Sequence, residues 1–321
     1  MISRRAFCQS SIGAAVSLGM GKGVSKALIA SPLPESIRLG GLIFSTSQDP
    51  EELARVHKKL GYRAAYCPKA SAGDSSRLTA IEKAFAAEGI VIAEVGRWVN
   101  LMDADNQKRR ANLEYVTDGL AVADQVGALC CVDIAGSMNP TVWYGPHPDN
   151  LSPAFFDAAV ENARKIIDAV KPRRARFCYE MMGWTVPDSP DNFLKLLKAV
   201  DREAFAVHLD PCNIVNSPIH FYRNTELLNE CFEKLGPWIV SCHAKDLSWE
   251  PEYNIHFREV RPGTGSLDYR TYLKRLAALP HHPPLMLEHL PNAEEYDRAR
   301  LYLFELGNTL GIEIRPPSLV G

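Results

Sequence analysis

The chain has 321 residues, 36 Lys and Arg against 38 Asp and Glu, a net charge of −2 and 46% apolar side chains. This is the composition of an ordinary soluble chain with ample core; the length would permit two domains, although α/β barrels reach it as one. The near-neutral balance, with no Lys/Arg block, offers no general field for nucleic acid, and no nucleic-acid partner is expected.

The first thirty residues stand apart. Ser3-Arg4-Arg5-Ala6-Phe7-Cys8 leads into a weakly apolar run, and small residues follow as far as Ala30. A twin arginine before such a run resembles a Tat export signal, so residues 1–30 are expected to direct a mature part, residues 31–321, to the periplasm. The alternative is a disordered N-terminus with a chance arginine pair. The apolar run is well short of the roughly 20 residues a membrane-spanning helix needs, so no stable membrane anchor is expected.

From Ile37 onward, apolar β-branched runs alternate with amphipathic stretches of helical period. In chain order the spacing predicts a strand at Ile37–Phe44 and a helix at Pro50–Leu60, then Ala64–Cys67 and Ser75–Ala87, Val91–Trp98 and Gln107–Val126, and Leu129–Ala135 and Pro153–Val170. The second half continues with Arg176–Met181 and Asp191–Val200, Ala206–Cys212 and Phe221–Leu235, Ile239–His243 and Asp268–Leu279, and Pro284–Leu290 and Ala293–Leu306. Helix starts are well marked by Asp49-Pro50-Glu51, Ser152-Pro153 and Asn292 before Ala293-Glu294-Glu295. Eight alternations with no intervening linker point to a parallel sheet covered by helices. A doubly wound open sheet would alternate in the same way. The eight cysteines suggest a disulfide framework by number, but Cys67, Cys130, Cys131, Cys178, Cys212 and Cys242 lie in or beside strands without Cys-x-x-Cys spacing, as buried free thiols do.

Four of the apolar runs end on a metal-ligand type: Glu180, Asp210, His243 and Glu288, separated by 30, 33 and 45 residues. Parallel barrels place their chemistry at strand C-terminal ends, and a strand–helix unit uses roughly that many residues. Singly, Glu180 or Glu288 could cap a helix, Asp210 could order a turn before Pro211, and His243 could be a core histidine. As a phased series they read as one divalent-metal site, and only closure into a single (β/α)8 TIM barrel makes four consecutive strands converge. Three crowded carboxylates are costly to desolvate unless a cation joins them. Three carboxylates and an imidazole favour Mn²⁺, with Mg²⁺, Co²⁺ or Zn²⁺ compatible.

Tyr179-Glu180, His208-Leu209-Asp210-Pro211-Cys212-Asn213, Cys242-His243-Ala244-Lys245-Asp246, Leu287-Glu288-His289 and the Gly263-Thr264-Gly265 loop together resemble the xylose-isomerase-like barrels, among them the ketose 3-epimerases, over residues 37–311. The resemblance implies that Glu180, Asp210, His243 and Glu288 bind the metal. It also implies that Glu180 and Glu288 flank the substrate as an acid/base pair. Such a pair would move a proton α to a carbonyl of a sugar through a cis-enediolate. One position departs from the pattern: ketose epimerases of this type usually carry His three residues after the metal Asp, where this chain has Asn213.

Other residues are weighed between substrate and structure. Asn213 could donate to a sugar hydroxyl or serve as a turn residue. Lys245 alternates with His243 and can face the mouth, with Asp246 pairing with it or capping a turn. Trp98, Asn100 and Trp184 lie just past strand ends, where the two tryptophans could stack on a sugar ring or simply pack. His208 is expected one layer deeper, in the core. His147 either makes a rigid turn or overhangs the mouth as a base, and His220 is a similar loop histidine. Arg258 and Arg261 are expected to be solvated.

The reading is a metal-dependent isomerase or epimerase of an unphosphorylated keto sugar or polyol, since export disfavours phosphorylated substrates and no Gly-rich phosphate cradle follows the last two strands. The alternative is a lyase or dehydratase acting by β-elimination on 3-keto sugars, glycosides or inosose, with His147 as base. An AP endonuclease would need a multi-zinc cluster and a basic groove. A non-catalytic sugar-binding barrel has no use for two glutamates. The partner is a small sugar, and a homo-oligomer is compatible with the chain.

Overall fold

The computed structural model describes residues 36–314. The export-signal expectation for residues 1–30 therefore lies outside the described residues. The barrel strands are β1 (Leu39–Gly40), β2 (Ala64–Tyr66), β3 (Val91–Gly96), β4 (Cys130–Asp133), β5 (Arg176–Glu180), β6 (Phe205–Leu209), β7 (Ile239–Ala244) and β10 (Leu285–Leu287). They pair in parallel and close in the order β1-β10-β7-β6-β5-β4-β3-β2, which makes a single (β/α)8 TIM barrel. Outside it stands an antiparallel hairpin of β8 (Asp246–Trp249) and β9 (Phe257–Val260).

The helices are α1 (Pro50–Lys59), α2 (Ser75–Ala87), α3 (Asn106–Val126), α4 (Pro153–Val170), α5 (Pro190–Val200), α6 (Pro218–Tyr222), α7 (Asn224–Leu235), α8 (Tyr269–Ala277) and α9 (Ala293–Leu310). The anticipated caps hold: the Asp49, Ser152 and Asn292 side chains accept from Glu51, Phe155 and Glu295 backbone N–H groups. Gly127 and Gly311 end α3 and α9 in the left-handed region.

Strand alternation sorts the core into two shells. Phe177 and Tyr179, Val207 and Leu209, and Leu285 and Leu287 belong to the main cluster with the helices. Cys130, Cys178 and Ala206 form a separate group inside the barrel, as do Ala64, Ala93 and Met286. The described cysteines are free thiols, and all but half-buried Cys67 are buried.

Three local features differ from the sequence expectation. The first strand is only two residues long; Met286 packs where a Cβ at Gly40 would stand, and Leu42 and Phe44 lie exposed beyond the strand. The helix expected at Phe221–Leu235 breaks at Arg223. Asn224 stabilises the break: its amide donates to Phe221 O (2.8 Å) and Ser266 O (3.0 Å) and its carbonyl accepts from Asp268 N (2.8 Å). The segment before Gly263 is a hairpin rather than a loop, seated by Phe257, whose ring stacks on Phe221 at 5.0 Å. Its strands are too short and too charged to carry a clear period.

Candidate metal centre at the barrel mouth

Glu180 ends β5, Asp210 follows β6 directly, His243 lies near the end of β7 and Glu288 follows β10. These four strands are neighbours in the barrel, and alternation turns all four side chains inward. One ligand atom from each lies within 4.8 Å of the others. Nδ1 of His243 is 3.2 Å from Glu180 Oε1, 3.5 Å from Asp210 Oδ2 and 3.0 Å from Glu288 Oε2. Behind the strand end, Tyr272 and Tyr269 of α8 donate their hydroxyls to the carbonyls of His243 and Lys245, each at 2.9 Å. The register of β7 is thereby held from the helix layer.

Lys245 supplies the charge balance. Its Nζ is 2.8 Å from Asp210 Oδ2, 3.3 Å from Glu288 Oε2, 3.8 Å from Glu180 Oε1 and 3.5 Å from Glu259 Oε1. Burial pushes the Asp210 carboxyl up, but Lys245 and His243 outweigh it and hold it well below the usual carboxylate range. The same contest, with His243 as the main counter-charge, leaves Glu288 at about 2. Burial in turn disfavours charge on His243 and Lys245, and the surrounding carboxylates reverse this, so both stand well above their ordinary values.

A divalent ion fits this donor set. Asp210 Oδ2 and Glu288 Oε2 are buried and accept no aligned hydrogen bond, and three carboxylates with one imidazole nitrogen match a hard or borderline cation. Glu180, Asp210, His243 and Glu288 are the residues that would hold it.

The other expected residues divide. Asn213 stands inside the site: its Nδ2 donates to Glu180 Oε1 at 3.1 Å and its Oδ1 accepts from Lys245 at 2.9 Å. Trp98 lies over the centre with its indole N–H donating to Glu180 Oε2 at 2.8 Å. Gly96 makes this possible, because a Cβ there would collide with the indole ring. Lys245 faces the mouth, as alternation requires. His208 lies a layer deeper, fully buried. Asp246 is a loop staple: its carboxylate accepts from the N–H groups of Leu247, Gly263, Gly265 and Leu267. Asn100 is likewise structural, bridging Ser137 and Met102.

Two expectations are corrected. His147 caps the turn at Pro148–Leu151, its Nδ1 accepting from Asp149 N at 3.2 Å, and does not line the mouth cavity. Trp184 points outward, 60% exposed, and is likewise absent from the lining. Both sit on loops whose direction depends on side-chain-to-backbone bonds of Asn139 and Asn150. His220, the other loop histidine, turns its Nδ1 to Ile214 O. Arg258 and Arg261 pair with Glu250 and Glu295.

The cavity above the centre measures about 490 Å³. Its lining adds residues that the sequence reading did not single out, notably Trp143 and Tyr144 from the loop after β4, and Glu259 and His289 at the rim. His289 Nδ1 donates to Glu259 Oε2 at 2.9 Å. Glu259 reaches the mouth only because the hairpin folds over it.

With this geometry the chain belongs to the xylose isomerase-like TIM barrel family, whose model matches residues 54–306. A search of curated proteins finds no match. Among solved structures, a xylose isomerase domain protein from Planctomyces limnophilus is similar with TM-score 0.61 at 16% identity, covering 87% of this chain and 99% of that one. A xylose isomerase-like TIM barrel protein from Mycobacterium smegmatis, in complex with magnesium, gives 0.59 at 20%, covering 81% and 89%. A 3-keto-D-glucoside 4-epimerase from E. coli gives 0.61 at 12%, covering 84% and 100%. At such identities these likenesses speak for the fold alone.

Proposed function

We propose that the protein is a divalent-metal-dependent isomerase or epimerase that moves a proton α to a carbonyl on an unphosphorylated keto sugar or polyol. The observation that carries this reading is the meeting of Glu180, Asp210, His243 and Glu288 from four adjacent strands. A bound divalent ion, Mn²⁺ foremost, with Mg²⁺, Co²⁺ or Zn²⁺ compatible, supplies Lewis acidity to a carbonyl and its neighbouring hydroxyl. Glu180 and Glu288 then take and return the proton. Trp98 and Asn213 orient Glu180 through the two hydrogen bonds they donate to it. In this reading Lys245 and Asn213, which are hydrogen-bonded to each other, hold a substrate oxygen. Trp98 and Trp143 give the cavity an apolar wall for a sugar face.

Elimination by a lyase is the second reading. Its expected base is His147, which caps a turn and does not line the cavity, so proton transfer between the two glutamates is preferred. The test is incubation with a panel of keto sugars and 3-keto-glycosides in D₂O, with Mn²⁺ and with chelator. Metal-dependent deuterium at the α-carbon is expected. Loss of water or aglycone without an isomeric product would favour elimination, and no exchange with Mn²⁺, or with Mg²⁺, Co²⁺ or Zn²⁺ in its place, would sink the reading.

The protein is proposed to act in the periplasm, on the strength of Arg4-Arg5. Changing both to lysine in a Tat-competent host is expected to leave the protein in the cytoplasmic fraction. Undisturbed delivery would dismiss the signal.

A further inference from the structure

Beneath the four ligand candidates lies a polar layer that the proposed chemistry does not use. Glu94 of β3, His208 of β6 and Ser241 of β7 are all fully buried, in a region that barrels ordinarily fill with branched apolar side chains. Glu94 is approached from three directions: by His208 Nε2 at 3.0 Å, by His243 Nε2 at 3.3 Å and by the Ser241 hydroxyl. A carboxylic acid would bring a further O–H into this group, whereas a carboxylate accepts from all three. His208 has no partner at its other ring nitrogen, so its side chain serves to hold Glu94.

For His243 the consequence is directional. β3 and β7 stand four strands apart in the closed order, on opposite sides of the barrel, and Glu94 spans the interior to meet Nε2. With Nε2–H directed down at Glu94, the ring presents Nδ1 to Glu180, Asp210 and Glu288. Metal-binding histidines are commonly fixed in this way, by a carboxylate on the nitrogen that does not touch the ion.

We propose that Glu94 is a positioning residue of the metal centre, fixing the His243 ring so that Nδ1 faces the three carboxylates before an ion arrives, with His208 and Ser241 locking Glu94 in place. The inference rests on the metal reading above but concerns a residue that reading leaves unassigned.

Two measurements test it on the full chain. In long-range ¹H–¹⁵N spectra of the wild-type protein loaded with Zn²⁺, His243 is expected to carry a proton on Nε2 and to bind the ion through Nδ1. In chelator-competition titrations with Zn²⁺ and Mn²⁺, Glu94→Gln, close in shape, is expected to bind about 10–100-fold more weakly. Ser241→Ala, which removes one of the contacts that hold Glu94 but keeps the Glu94–His243 contact, is expected to weaken binding by less than Glu94→Gln does. Binding by Glu94→Gln within twofold of wild type, or an ion on Nε2, would overturn the proposal and leave the metal reading standing. Should Glu94→Gln fail to fold, the wild-type spectrum decides by itself. Absence of binding to the wild type would remove the metal reading, and this role with it.

Discussion

Glu288→Gln is expected to abolish exchange of the substrate α-proton with solvent deuterium while the fold persists. Glu288 stands at about 2 without metal, so at neutral pH it is a carboxylate that can take a proton, and the amide that replaces it cannot. General acid–base groups contribute about 10²–10⁴ in rate. Because Glu288 is also a candidate ligand, the loss is expected at or beyond the upper end of that range. The two roles separate by titration: at Mn²⁺ concentrations that saturate the variant, a deficit in affinity is repaired and a deficit in proton transfer is not. Glu288 sits at the rim with 14% of its side chain exposed, and glutamine keeps its shape. Circular dichroism should therefore stay close to wild type, while the metal-free melting transition should fall, because His243 and Lys245 lose one of their counter-charges. Undiminished exchange in the saturated variant would take Glu288 out of the acid/base role.

What the sequence disclosed, and what it hid, follows from the range of the physics involved. Glu180, Asp210, His243 and Glu288 were legible because each ends an apolar run and the runs recur at the period of a strand–helix unit. Period-2 alternation alone then sends His208 and His243 inward. Glu94 carried no such mark. Val-Ile-Ala-Glu-Val-Gly reads as a buried strand with one acid, and its meaning appears only once closure sets β3 opposite β7. Trp98 was noticed as an apolar wall. That it also donates to Glu180 depends on Gly96 two residues earlier, a steric relation no periodicity encodes. Loop directions were least legible. Trp143 and Tyr144 line the cavity while His147 and Trp184 do not, and the difference is made by a few hydrogen bonds from Asn139 and Asn150. Glu259 was hidden because its hairpin consists of four-residue strands with charged, mixed patterning.

Lys245→Met is expected to destabilise the metal-free protein strongly and the metal-loaded protein much less. The ammonium is 3% exposed and lies against Asp210, Glu288, Glu180 and Glu259. Removing one partner from a buried charge cluster costs about 3–5 kcal/mol. In a chain of this size that lowers the melting temperature by roughly 10 °C. A bound ion restores positive charge among the same carboxylates and stabilises only the folded state, so saturating Mn²⁺ should recover most of the loss. The pH dependence of the carboxylates' own contribution should also change sign. In the wild type Asp210 and Glu288 titrate below their ordinary range, so their contribution is present above the unfolded carboxylate values and fades as pH falls toward 2. With Lys245 gone, His243 alone faces the carboxylates, whose repulsion raises their folded values above the unfolded ones. Their contribution is then present at low pH and lost as pH rises through those values. Between pH 7 and pH 5 the wild type gains stability through His243, which the fold keeps protonated above its ordinary value, and the metal-free variant should gain more, because its carboxylates add to that gain. Thermal melts at both pH values, with chelator and with Mn²⁺, read all four corners. A metal-free variant as stable as wild type at pH 7 would mean that the ammonium is not what holds three carboxylates together in the absence of an ion.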